Sequence, residues 1–162
     1  MRRLALPLSL ILLCAAPLAA KDSLGVFGQW GAFRDPAGSR CYAIAAGETG
    51  TARREFQPFA SVGTWPTRQV RGQLHIRPSR NLGAETAATL RIGGASFRLS
   101  GGASDLWAAD PGVNAAILAA MRSAASMQVS GRDARGNRFT DRYSLEGVAT
   151  AMDAASIACA RR

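Results

Sequence analysis

Residues 85–100 read Glu85-Thr86-Ala87-Ala88-Thr89-Leu90-Arg91-Ile92-Gly93-Gly94-Ala95-Ser96-Phe97-Arg98-Leu99-Ser100, and this stretch decides the fold class. Apolar and polar residues alternate on both sides of Gly93-Gly94, and paired glycines supply the positive φ that a tight hairpin turn requires. Leu90/Ile92 and Phe97/Leu99 are expected to meet across it. A period of two with one apolar side is the mark of a half-buried antiparallel strand.

The same signal repeats outward from this hairpin. Toward the N-terminus, residues 69–77 alternate Val70, Gly72, Leu74 and Ile76 with Gln69, Arg71, Gln73, His75 and Arg77. A strand is expected near 55–62, after a loop over 47–52. Residues 40–46 form another, with Cys41 facing away from Tyr42. They pair with a single strand over 24–33, whose Val26, Gly28, Trp30 and Ala32 point one way, and the turn Arg34-Asp35-Pro36-Ala37-Gly38 joins the two. Residues 21–23 are a frayed start.

Toward the C-terminus, Gly101-Gly102 turns the chain into a short strand around Leu106-Trp107. Asp110-Pro111 then opens a helix, because the carboxylate accepts from free N–H groups and proline lacks the N–H that the first turn leaves unused. Val113, Ile117, Ala120, Met121 and Ala124 line one face of it. Residues 127–133 and 138–143 form a last hairpin, and Ser144 caps a second helix over 145–160. On that helix Val148, Met152, Ala155 and Cys159 share one face. No linker, repeat or low-complexity tract interrupts 21–162, so one β-rich domain is expected.

Residues 1–20 differ in kind. Met1-Arg2-Arg3 is basic, 4–16 is almost wholly apolar, and Pro17-Leu18-Ala19-Ala20 ends in the small residues that signal peptidase accepts. The apolar run is shorter than the roughly 20 residues that span a bilayer. A lipid-bearing Cys14 would need a small residue where Leu13 stands. The chain is therefore read as exported to the periplasm or beyond by a cleaved signal peptide, with no transmembrane anchor in the mature form.

Cleavage after Ala20 leaves 142 residues and two cysteines, Cys41 and Cys159, in an oxidising compartment. A disulfide between strand and helix is expected; the alternative is two buried thiols. The mature chain keeps 18 basic and 11 acidic side chains, and Lys21 is its only lysine. Nucleic-acid binders gather cations on one stripe with interleaved aromatics. Here the arginines are dispersed, paired only at Arg53-Arg54 and Arg161-Arg162. Two readings remain: a solvated basic surface, or attraction to anionic headgroups and sugars of a bacterial envelope.

Phe27-Gly28-Gln29-Trp30 ahead of Arg40-Cys41-Tyr42-Ala43-Ile44, together with the closing Ser144-Leu145-Glu146-Gly147-Val148-Ala149-Thr150-Ala151-Met152, resembles the invasion-associated locus B family of exported alphaproteobacterial proteins. The resemblance implies a periplasmic or surface-associated β-sandwich-like domain with no established catalytic residues. The chain departs from better-known members at Phe33, in a region where they often place a cysteine, and lacks their paired central cysteines.

Residues able to carry chemistry are few. His75 is the only histidine and is expected on the solvated face of its strand, with no Cys-His spacing for zinc and no G-x-S-x-G nucleophile elbow. Carboxylate pairs could hydrolyse glycosides without it. Most acids, however, have structural places: Asp110 at a helix start, Asp35 in a turn, Glu146 and Asp153 on helix surfaces. Gly131-Arg132-Asp133 is not an adhesion tripeptide, and its composition is that of a turn. Trp30 reads as core. Trp65, beside Pro66 in a loop and flanked by Arg68 and Arg71, reads either as core or as a stacking platform for an anionic sugar or an acidic protein surface.

The sequence thus predicts a mainly β, antiparallel sandwich-like domain with two short helices, the C-terminal one tethered through Cys41 and Cys159. Its expected role is that of a non-enzymatic envelope or periplasmic protein, with Trp65, Arg68 and Arg71 as the binding surface for an anionic glycan or lipid, an acidic protein or a host component. No metal, cofactor or nucleic acid is expected. A periplasmic hydrolase acting on envelope polymer through carboxylates is the alternative.

Overall fold

The Gly93-Gly94 hairpin forms as its sequence requires, with Gly93 at φ 55°, Ile92 opposite Ala95 and Leu90 opposite Phe97. The structure is a computed structural model that describes residues 20–48 and 54–160, without the side chains of 84–86. The expected leader over 1–20 falls outside the described residues except for Ala20, as do Arg53 and the Arg161-Arg162 pair.

Ten strands and two helices run in chain order among the described residues. They are β1 (Asp22–Phe27), β2 (Trp30–Asp35), β3 (Arg40–Ala46), β4 (Phe59–Trp65), β5 (Val70–Arg77), β6 (Leu82–Ile92), β7 (Ala95–Ala103), β8 (Asp105–Ala108), α1 (Pro111–Met121), β9 (Ser126–Arg132), β10 (Arg138–Ser144) and α2 (Val148–Ala160). All strand pairs are antiparallel, in the order β1-β2-β3-β4-β5-β8-β7-β6-β9-β10. The mainly β class with two helices is as expected from the sequence.

The sheet doubles back on itself. Inward side chains from both halves, among them Trp30, Leu74, Ile76, Leu90, Leu99, Val129 and Tyr143, enter one core with Ile117 and Met121 of α1. Fully burying one such aliphatic side chain contributes about 1.5–3 kcal/mol. Backbone bonds tie the halves together: Glu48 N–H donates to Arg142 O, and Ala134 N–H to Asn81 O. The Ser79 N–H donates to the buried Asp141 carboxylate at 2.8 Å.

The buried face of α2, Val148, Ala151, Met152, Ala155 and Cys159, lies against β1–β4. Cys41 and Cys159 are bonded, with Cα atoms 5.8 Å apart, so the helix is clipped to β3. At α1, the Asp110 carboxylate accepts from Val113 N–H at 2.8 Å, the cap that the Asp-Pro start required.

Several boundaries differ from the sequence reading: β1 takes in Asp22 and Ser23 of the expected frayed start, β6 begins at Leu82, three residues before 85, and α1 ends at Met121, before Ala124. The expected single strand 24–33 is a hairpin, because Gly28 at φ 54° turns the chain; Trp30 and Ala32 face the core while Val26, on the other face, is 72% exposed. The strand expected at 55–62 is β4, which begins four residues later at Phe59, because Glu55 and Phe56 donate their N–H groups to Ser79 O before it. Strand β7 continues through Gly101-Gly102 and turns at Ala103, which takes φ 53°. Helix α2 starts at Val148 rather than 145 because Gly147 sits at φ 83°, and Ser144 Oγ accepts from Glu146 N–H in the turn before it.

One sheet seam is short. Strands β5 and β8 pair only at His75 with Trp107 and Ile76 with Leu106. Beyond it, Asn114 of α1 takes the place of a strand: its Nδ2 donates to Gly72 O at 2.7 Å and its Oδ1 accepts from Leu74 N–H at 2.9 Å.

Candidate functional site

Because successive strand residues face opposite sides, burial of Ala32, Cys41, Ala43, Ala60, Val62, Leu74 and Ile76 directs their neighbours outward. Register aligns these neighbours in rows. One row runs Val26, Gly31, Ile44, Ser61, His75 and Trp107 across β1, β2, β3, β4, β5 and β8. The next holds Phe33, Tyr42, Gly63 and Gln73.

Aromatic rings cover this face. Phe33 and Tyr42 stack at 5.6 Å, and the Arg40 guanidinium lies 4.9 Å from the Tyr42 ring centre. Arg40 is held by Asp35 at 3.2 Å. The Gly38 N–H lowers the Asp35 carboxyl most; burial opposes it, and the Arg40 bond and charge add to the lowering, so the group lies below the usual carboxylate range. At Gly63 a Cβ would stand 2.6 Å from the Trp65 ring, so glycine is what lets that indole fold down onto the sheet beside Tyr42.

A second cluster sits at the β5–β8 seam. His75 Nε2 is 2.7 Å from Asp105 Oδ1, its ring stacks on Trp107 at 5.4 Å, and Phe59 meets it edge-on at 5.5 Å. His75 therefore occupies the outward face, as its alternation predicts, but it is partnered and half-buried rather than free in solvent. Trp107 remains 37% exposed. Ser61 lies in register beside His75, yet among the described residues no hydrogen bond joins them, so the pair lacks the contact that activates a nucleophile.

Trp65, Arg68 and Arg71 occupy the β4–β5 connection. Trp65 ends β4, Pro66–Arg68 make one 3-10 turn, and Gln69 takes φ 56° before Arg71 enters β5. Trp65 is half-buried, whereas Arg68 and Arg71 are exposed. The cation–ring contacts among the described residues are those of Arg40 with Tyr42 and Arg77 with Phe56, not of Trp65 with its flanking arginines. Arg71 stands on the wall of two clefts. One, of about 910 Å³, lies between the β4–β5 turn and the end of α2 and includes Ile157. The other, of about 560 Å³, opens where β5 and β8 diverge and includes Gln69, Gln73, Trp107 and Asn114.

Phe33, Tyr42, Phe59, His75 and Trp107 thus join the candidate surface, and the sequence reading had not assembled them. Alternation put His75 on the outward face and Tyr42 opposite Cys41; only cross-strand register brings the five together.

Asp22, Asp35, Glu55, Asp105, Asp110, Asp133, Asp141 and Asp153 are engaged in structural bonds. A third cleft, of about 390 Å³, holds both Glu55 and Asp133. Glu55 Oε2 accepts from Asn81 N–H. Burial raises the Asp133 carboxyl, but bonds from Asn137 and Arg135 outweigh it and leave it below its usual range, opposite to what a general acid needs. Among the described residues, no three His, Cys, Asp or Glu side chains cluster as metal ligands, and no helix is long and apolar enough to cross a membrane.

No family model, curated protein or solved structure matches this chain.

Proposed function

We propose that this is an exported, non-enzymatic binding protein of the bacterial envelope, which holds an anionic envelope or host component on the aromatic and arginine-bearing face of β2–β5 and β8. The observation that carries this reading is the set of partly exposed rings on one sheet face, Phe33 and Tyr42 in one row, His75 and Trp107 in the next and Trp65 at the end of β4, with Arg40 stacked on Tyr42 and Arg71 sharing a cleft with Trp107. A sheet face normally left to solvent is polar; one lined with rings offers stacking area, and its guanidinium groups offer bidentate bonds to carboxylate or phosphate.

The Cys41–Cys159 bridge supports an oxidising location. The resemblance of the two chain ends to the invasion-associated locus B family supports the same address and a binding rather than catalytic role. The hydrolase alternative gains nothing from the Glu55 and Asp133 cleft.

Co-sedimentation of the mature protein with peptidoglycan and with outer-membrane vesicles tests the proposal. Retention should fall steeply between about 0.01 and 1 M salt, as the Debye length contracts from about 30 to about 3 Å. Trp65→Ala and Arg71→Ala should each lower it at low salt. Retention indifferent to salt and to both substitutions would remove the basic-face reading.

A further inference from the structure

We infer that the cleft between β5 and β8 is a subsite for a sugar acid, with the Trp107 indole against the apolar face of the sugar ring and the Arg71 guanidinium on its carboxylate. This rests on the proposed function and specifies its ligand class.

The cleft follows from the topology. The two strands share only two residue pairs, and Asn114 closes the inner side of the gap with both ends of its amide bonded to β5. An opening of about 560 Å³ is left beside this gap, bounded by β5, the end of β8 and the start of α1, within the roughly 300–1,000 Å³ range of small-ligand sites. Its walls bring together one indole, one guanidinium and the amides of Gln69 and Gln73. The carboxylate among them, Asp110, already accepts the Val113 N–H as a helix cap.

That set matches a carboxylated pyranose. The ring carbons offer C–H surface for an indole, the hydroxyls can bond side-chain amides, and the carboxylate fits the guanidinium fork. A single-stranded nucleic acid would instead call for successive stacking platforms along a basic groove, and this cleft has one indole.

Trp107 is prepared for the task. Asp105 holds His75 at 2.7 Å, and the His75 ring lies on Trp107 at 5.4 Å with Phe59 against its edge. Asp105 and His75 are thus positioning residues, fixing an indole that would otherwise lose rotamer freedom on binding.

The test is calorimetric titration of the mature protein with a glucuronate-terminated tetrasaccharide, a neutral glucose tetrasaccharide, an N-acetylmuramic-acid-containing muropeptide and an oligothymidylate. The glucuronate and muramic arms distinguish a ring carboxylate from a lactyl one. The expected result is binding of at least one acidic saccharide about tenfold tighter than the neutral one. Arg71→Ala should erase that preference and the salt dependence. Trp107→Ala should weaken binding about tenfold while leaving the salt slope unchanged, and Trp107→Phe should restore part of the loss. His75→Phe should bind more tightly than His75→Ala, because it keeps the stack; unfolding midpoints of each variant verify the fold.

Equal affinity for acidic and neutral saccharides, tighter binding of the oligothymidylate, or acidic-saccharide binding unaltered in folded Arg71→Ala and Trp107→Ala would overturn the assignment. If those substitutions have no effect while envelope co-sedimentation remains salt-sensitive, the cleft assignment fails and the broader proposal stands. Sedimentation indifferent to salt and to Trp65→Ala and Arg71→Ala would reject the broader proposal instead.

Discussion

Asn114 shows how one side chain can stand in for a strand. Without it, Gly72 O and Leu74 N–H would face a gap, and a backbone group left unsatisfied costs about 1–3 kcal/mol, less where water reaches it. Asn114→Ala is therefore expected to destabilise the fold by about 1–3 kcal/mol in urea unfolding, and Asn114→Asp, which keeps the acceptor but loses the donor, by less. Equal midpoints would show that the seam does not depend on the amide. Elsewhere two glycines permit contacts that no other residue could: a Cβ on Gly147 would stand within 2 Å of Phe27 O, and one on Gly28 at 2.5 Å from Glu146 O. Gln29 N–H donates to Glu146 O and Trp30 Nε1 to Ser144 O at 2.9 Å. Residues 27–30 and 144–147 thus form one packing unit, which gives these residues a structural reason to be as they are.

At the level of elements, legibility followed the range of the interactions. Strand β3 and the start of α1 were readable because their turn and cap residues lie within a few positions: Asp35 accepts from Gly38 N–H, and Asp110 from Val113 N–H. The β1–β2 hairpin was hidden because a two-residue turn leaves Val26, Gly28, Trp30 and Ala32 in phase along the sequence while reversing the face they address. The seam cluster was less visible still. Asp105 lies thirty positions from His75, and β5 meets β8 out of chain order, so nothing local marks the pair. The α2 tether was legible from two readings together, the even cysteine count that remains if residues 1–20 are a cleaved leader and the shared face of Val148, Met152, Ala155 and Cys159. It closes a separation of 118 residues. The chain-entropy model assigns such a loop about 4–5 kcal/mol, and losing a native bridge usually costs about 2–5 kcal/mol. Cys159→Ser should lower unfolding stability in that range, and reduction of the wild type should reproduce the loss. A folded variant of unchanged stability would mean that packing of α2 alone holds the helix.

Across the whole molecule, the fold divides its aromatic residues between two environments. Trp30 is fully buried with its indole N–H bonded to Ser144 O, whereas Trp65 lies over Gly63 on the outer face and Trp107 shares a cleft with Arg71. The chain contains only these three tryptophans, so each contributes one indole N–H signal. The central claim, that this outer face is where an anionic envelope component binds, is tested most directly by following those signals in 15N-labelled mature protein as soluble peptidoglycan fragments are added at low salt. The Trp65 and Trp107 signals should shift together and return when salt is raised, while the Trp30 signal stays in place as an internal reference. Saturable binding that leaves Trp65 and Trp107 unmoved, or that moves Trp30 alone, would contradict the account.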